Sequence, residues 1–179
     1  MNRKIGLDIV RATAICLVLL SHFAKQLDFL GTYGVDLFFA LSGFLIGGIL
    51  QRNLANCNDW SFSEVKIFWA RRWWRTLPNY FLFFAVSLIF HYFSGGLPSL
   101  AGLAPFVVFS QNLLNANSPF YIASWSLCIE EWFYFLFPLG ILLFCMNRCS
   151  KKTALIGTTL IFLILPPILR ACLKSQFRG

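Results

Sequence analysis

Long apolar runs separated by short polar breaks make up most of this chain. After a polar start, Ile9 to Phe23 is almost wholly apolar, interrupted only by Arg11, Thr13, Ser21 and His22. An arginine near its start, a histidine near its end and no convincing small-residue cleavage site predict a retained first membrane span, not a secretion signal. Val35 to Leu50 predicts a second span, short by itself and completed by residues 31–34 or Gln51. Between Gln51 and Pro78 lies the one substantial hydrophilic stretch, with Arg52, Lys66, Arg71, Arg72 and Arg75 against Asp59 and Glu64. The positive-inside rule places it, and the N-terminus, on the cytoplasmic side. Ser61-Phe62-Ser63-Glu64 reads as a helix start. The arginines that follow interleave with Trp69, Trp73 and Trp74, which predicts an amphipathic helix in the headgroup layer. Pro78 then marks entry into a third span, Tyr80 to Phe93.

Leu100 to Leu114 is broken by Pro105, Ser110, Gln111 and Asn112, and fits either a fourth span or a re-entrant segment buried in protein. Trp125 to Cys145 and Ala154 to Leu173 complete the candidates, the latter despite Pro166 and Pro167. Charge does not orient this C-terminal part, because the loop at Arg148, Lys151 and Lys152 and the tail at Arg170, Lys174 and Arg178 carry three basic residues each. The predicted fold is all-α, a multi-pass transmembrane helical bundle of five to six hydrophobic segments. It forms a single domain over 1–179, with residues 51–78 as a basic cytoplasmic loop containing the amphipathic helix.

Composition supports this reading. The 179 residues are 58% hydrophobic and 12% charged, against about 25% charged in a soluble domain. That excludes a water-soluble globule, and it excludes intrinsic disorder, which needs low hydrophobicity. The net charge of +8 sits between apolar runs, where it suits topology, anionic lipid or a phosphorylated substrate, not nucleic acid. Cys16, Cys57, Cys128, Cys145, Cys149 and Cys172 form no CxxC pair and read as small hydrophobes, with neither a metal site nor a disulfide framework.

An ionisable side chain inside a span is costly and is a functional candidate by default. Arg11 and His22 are eleven residues apart, which is three helical turns plus about 20°, so they share one face. Asp8 can pair with Arg11 at i−3. His22 fits either a titratable base deeper in the membrane or a buried histidine bonded to a carbonyl. On the second span Asp36 lies on a stripe with Ala40, Gly43 and Gly47, whose glycines permit close helix packing. If the chain turns between residues 24 and 35, Asp36 reaches the depth of His22 and could orient it, or form an ordinary structural pair. Ser126, Glu130 and Tyr134 recur at i, i+4 and i+8. Of the adjacent glutamates, Glu130 is expected to face the interior and Glu131 to snorkel. Arg71, Arg72 and Arg75 suit a phosphate clamp, because guanidinium forks bind phosphate bidentately, and equally suit a lipid-headgroup anchor.

Four blocks then carry a resemblance: Leu7-Asp8-Ile9-Val10-Arg11 with His22, the run from Gly34-Val35-Asp36-Leu37-Phe38-Phe39 to Ile46, Arg71-Arg72-Trp73-Trp74-Arg75 through Tyr80, and Trp125-Ser126-Leu127-Cys128-Ile129-Glu130-Glu131-Trp132-Phe133-Tyr134. In order and spacing they resemble the integral-membrane acyltransferase family three, which includes O-antigen and exopolysaccharide O-acetyltransferases. The resemblance implies a bacterial inner-membrane enzyme that moves an acyl group, usually acetyl from acetyl-CoA, onto a hydroxyl of a carbohydrate such as lipopolysaccharide or of a lipid-linked glycan, without a metal. It places the family's essential arginine and histidine at Arg11 and His22, its basic motif at Arg71, Arg72 and Arg75, and its glutamate at Glu130. Implied roles follow: donor phosphates on the three loop arginines, thioester charge on Arg11, and the acceptor's proton on His22, oriented by Asp36 or Glu130. Family members are longer, so the chain resembles their N-terminal half. Missing helices are then expected from a partner or a second copy. The competing expectation is a non-catalytic truncated homologue with a structural role, or a small glycan or lipid translocator.

Overall fold

The computed structural model describes residues 5–23, 25–96, 98–114 and 119–176, and those residues contain helices and no strand. Seven α-helices follow in order: α1 (Ile5–Phe23), α2 (Asp28–Asn56), α3 (Phe62–Phe93), α4 (Leu100–Val107), α5 (Gln111–Leu114), α6 (Trp125–Met146) and α7 (Lys151–Gln176). Five of them, α1, α2, α3, α6 and α7, are long and apolar enough to cross a membrane. The chain divides into two compact units, Met1–Ala55 and Asn56–Gly179.

In the first unit α1 and α2 are joined by a short 3₁₀ turn at Lys25–Leu27. The second span is far longer than its apolar run, because Asp28 to Tyr33 and Gln51 to Asn56 extend the helix at both ends. Its 29 residues reach about 43 Å at 1.5 Å per residue. The two helices meet where α2 is small. A Cβ on Gly34 would lie 2.7 Å from Val18 Cγ2 and 2.9 Å from the Ala14 carbonyl oxygen, and one on Gly31 would lie 2.6 Å from Ser21 Oγ. Gly43 and Gly47, where close packing was expected, have nothing within 4 Å of a built Cβ. Two helices that cross diverge away from the contact, and these glycines lie more than two turns beyond it.

The second unit departs from expectation at α3. The helix predicted to stop at Pro78 runs through it unbroken for 32 residues, about 48 Å. Pro78 lacks the N–H that the Trp74 carbonyl would receive. Two residues earlier, Thr76 Oγ1 lies 3.2 Å from the Arg72 carbonyl. The tryptophans also differ from a headgroup belt. Trp69 stacks on Trp73 at 5.7 Å and on Phe135 of α6 at 4.9 Å, leaving Trp74 as the strongly exposed one. The helix start at Ser61 is as expected, with Glu64 and Val65 N–H groups bonded to the Ser61 carbonyl.

Residues 100–114 form no single helix long enough to cross a membrane. Two short helices flank a break at residues 108–110, and side chains satisfy the carbonyls that the break frees. Tyr80 donates to the Phe106 carbonyl (2.7 Å), while Trp132 Nε1 and Cys128 Sγ both donate to that of Phe109 (2.8 Å each). Irregular backbone is tolerated at membrane depth when protein groups take the place of water. Phe109 is held at φ 54°, a left-handed conformation that a bulky residue adopts only when its surroundings fix it. Its ring packs on that of Tyr80, which belongs to an aromatic cluster with Phe84, Phe106 and Tyr121, and burial raises the Tyr121 phenol above its ordinary pKa.

α6 is the most enclosed of the five long helices. Gly140 admits Thr158 of α7, and Gly157 admits Phe144, with built Cβ atoms 2.7 and 2.9 Å from those side chains. Between apolar helices in lipid the gain is van der Waals packing rather than transfer out of water, so small residues matter at such crossings. The connector before α3 is tied to the same region: Trp60 Nε1 donates to the Pro138 carbonyl (3.2 Å), and Lys151 Nζ donates to that of Cys57.

Candidate functional site

The N-terminal unit carries Arg11, His22 and Asp36. α1 is uninterrupted, so Arg11 and His22 stand on one face about 16 Å apart along the axis. Arg11 Nη1 donates to Asp8 Oδ1 at 3.2 Å, and both side chains are partly exposed. His22 is exposed, with Nδ1 2.7 Å from the Val18 carbonyl oxygen. A carbonyl can only accept, so Nδ1 donates this bond, and in the neutral ring Nε2 is then the acceptor. The ring is thus tied to the backbone of its own helix.

Asp36 is not brought to His22. Gly31 opposes Ser21, and Gly34 opposes Val18 and Ala14, so Asp36 is level with the middle of α1, roughly two turns or about 10 Å below His22. The conditional pairing assumed a second helix beginning near Val35. The helix begins at Asp28 instead, and this carries Asp36 two turns deeper.

The second unit brings together α3, α6 and the break. Arg72 is half-buried, its guanidinium over the rings of Phe68 (6.0 Å) and Tyr134 (5.7 Å). Tyr134 in turn donates to Glu130 Oε1 at 2.7 Å, so the i, i+4 stripe read from the sequence forms a cation–ring–carboxylate chain. Arg71 and Arg75 are exposed and form no ion pair among the described residues.

The glutamates are reversed from expectation. Glu130 is partly exposed, whereas Glu131 is 5% exposed and is the one that faces inward. The reason is its register. Glu131 shares the buried stripe of Cys128, Tyr134, Pro138 and Leu142, a period hidden because a glutamate does not count as apolar. Thr76 Oγ1 of α3 lies 2.6 Å from Glu131 Oε1. Oε2 is buried without a hydrogen-bond partner among the described residues. The Trp73 indole lies near the same carboxylate without a bond of ordinary geometry. Beside it is a cavity of about 300 Å³ lined by Trp73, Leu77, Val108, Phe109, Glu131, Trp132 and Phe135. Thr76 and this cavity were not found by sequence reasoning, since their partners come from distant segments.

Among the described residues no group of three or more histidine, cysteine or carboxylate side chains could hold a metal ion. A family profile described as an acyltransferase domain matches residues 4–177, nearly the whole chain. The chain belongs to that family. This acyltransferase domain is 32% identical over 153 residues to the peptidoglycan O-acetyltransferase OatA of Listeria monocytogenes, covering 78% of this chain and 24% of that one. It is 31% identical over 161 residues to the O-acetyltransferase OatA of Staphylococcus aureus strain NCTC 8325 / PS 47, covering 82% and 26%. A relative from Staphylococcus aureus strain COL is 29% identical over 179 residues, covering 85% and 26%. The chain thus spans about a quarter of the length of the curated relatives it matches. No solved structure matches it.

Proposed function

We propose that this acyltransferase domain transfers an acetyl group to a hydroxyl of a carbohydrate acceptor, with an acyl-CoA as donor, at the bacterial inner membrane and with its N-terminus cytoplasmic. Family membership and two relatives named for O-acetyl transfer support the reaction class, and the name of the Listeria protein favours a cell-wall glycan over other acceptors. The observation that carries the reading is the His22 ring, whose Nδ1–H is committed to Val18 and whose Nε2 is left as a base.

In this mechanism Nε2 takes the proton of the acceptor hydroxyl as its oxygen attacks the thioester carbonyl. The C–S bond breaks, a C–O ester bond forms, and the thiolate leaves and receives the proton from His22. Arg11 stands about 16 Å from His22 along α1 and bonds back toward Asp8, too far to meet that carbonyl oxygen, so its proposed part is to hold an anionic portion of a substrate on the same helix face. In the second unit, taken by itself, Arg71 and Arg75 are exposed and Arg72 is fixed against Tyr134, an arrangement that suits binding of phosphate groups.

The test is transfer of labelled acetyl from acetyl-CoA into the glycan fraction of membranes carrying this chain, beside His22→Ala at matched abundance. Loss of a general base predicts a fall of about a hundredfold or more. Transfer that survives in His22→Ala, or transfer that proceeds without the thioester donor, would contradict the reading.

A further inference from the structure

We propose that the cavity between α3, α6 and the break at residues 108–110 is a binding site for an apolar group that carries one neutral hydrogen-bond donor, a hydroxyl or an amide N–H, received by Glu131 Oε2. The proposal does not depend on the acetyl-transfer reading.

Its basis is a built polar group in an otherwise apolar cavity. Glu131 is 5% exposed, and its Oε2 has no hydrogen-bond partner among the described residues. A buried acceptor without a donor is costly, and most buried polar side chains are paired. Thr76 engages Oε1, which holds the carboxylate in place and leaves Oε2 for an incoming group. Of the lining residues Trp73 alone brings a donor near this carboxylate, and it forms no bond of ordinary geometry there. Trp132 Nε1 is committed to the Phe109 carbonyl, and Leu77, Val108, Phe109 and Phe135 have no polar side-chain atom. A cavity of this size, apolar with one convergent polar group, has the make-up of a small-molecule site.

The wall at the helix break is fixed. Phe109, at φ 54°, has its carbonyl bonded to both Trp132 and Cys128 and its ring 4.6 Å from that of Tyr80. Strain held by that many contacts is typical of a preformed site. Aromatic walls beside a carboxylate would also suit a cationic ligand, but two observations favour a neutral one. Arg72 already lies within electrostatic range of Glu131. Trp73 and Phe135 each have one ring face occupied by Trp69.

Bromine quenches indole fluorescence on contact, and Trp73 and Trp132 form the walls, so short brominated probes of one chain length report occupancy of the purified full chain. The probes are an alkane, a primary alcohol, a primary amide and a primary amine. The alcohol or the amide is expected to half-quench at a concentration about tenfold below that of the alkane, and the better of the two identifies the donor. Glu131→Leu is expected to abolish that advantage, because Thr76 can turn to the Arg72 carbonyl instead. Val108→Phe fills the cavity without touching the carboxylate, and is expected to weaken quenching by every probe. Equal quenching by alkane and alcohol in the unaltered chain, or an advantage that persists in Glu131→Leu, overturns the proposal. So does undiminished quenching in Val108→Phe, which decides the matter if Glu131→Leu does not fold. Stronger quenching by the amine than by either neutral probe overturns the neutral-donor assignment in favour of a cation site.

Discussion

In the N-terminal unit Arg11 and His22 take their partners from the preceding turn of one helix, Asp8 at i−3 and the Val18 carbonyl at i−4. In the second unit Glu131 takes its partner from Thr76, 55 positions earlier in the chain. The first arrangement leaves its side chains partly or largely exposed, while the second buries its carboxylate. A group whose partners are local can be altered with little disturbance to packing. One whose partners are remote is part of the packing, so chemistry and stability should separate in the first unit and merge in the second.

The largest expected effect tests that separation. His22→Ala should lower acetyl transfer by about a hundredfold or more while leaving thermal unfolding in detergent essentially unchanged, since the ring is exposed and, among the described residues, bonded only within its own helix. A large loss of thermal stability would mean that the ring is a packing element and would undo the contrast between the two units.

Thr76 should behave in the opposite way, and Glu131, whose burial carries its own cost, should not match it. Thr76→Val leaves both Glu131 oxygens buried without a donor, and should cost about 1–3 kcal/mol of stability. Glu131→Leu removes the buried carboxylate together with its need and should be nearly neutral, because replacing a buried polar group by an apolar one of similar shape often is. Unfolding of both single variants and the double variant measures the coupling. Equal losses in the two singles would show that Glu131 is stabilised by something other than Thr76.

Gly34 and Gly43 give a smaller contrast within a single helix. Gly34→Ala drives a Cβ to 2.7 Å from Val18 Cγ2 and 2.9 Å from the rigid Ala14 carbonyl oxygen, and should cost about 1–3 kcal/mol through overpacking. Gly43→Ala meets nothing within 4 Å and should gain up to about 1 kcal/mol from helix propensity. Opposite signs in the unfolding midpoint would place the helix contact at Gly34, and like signs would remove it.

What the sequence made legible follows the same division. Apolar run lengths located the five long helices, because every backbone group in lipid must be satisfied within its own segment. Asp8 with Arg11, the Ser61 helix start and the Glu130–Tyr134 contact were readable, since each depends on a spacing of three or four residues. Three features were not. Pro78 reads as a boundary, yet a proline is tolerated in a helix where neighbouring groups and local adjustment re-satisfy the freed backbone. Glu131 reads as a polar residue at the edge of its helix because its donor comes from a remote segment. The break at 108–110 was left open between a span and a buried segment, because the Tyr80, Cys128 and Trp132 donors that make it viable lie outside the run itself.

Asp36 carries the smallest expected effect and sharpens the comparison most narrowly. Its approach to His22 assumed a second helix starting near Val35, whereas α2 starts at Asp28 and meets α1 at Gly31 and Gly34. The carboxylate is therefore level with the middle of α1, and the His22 tautomer is set by the Val18 carbonyl without it. Asp36→Asn keeps shape and removes charge, so it should change transfer by less than about threefold, under 1 kcal/mol, and leave the pH dependence of transfer where it was. A loss comparable to that of His22→Ala would mean that Asp36 positions the imidazole after all. The partner of His22 would then be remote, and the N-terminal unit would follow the same rule as the second.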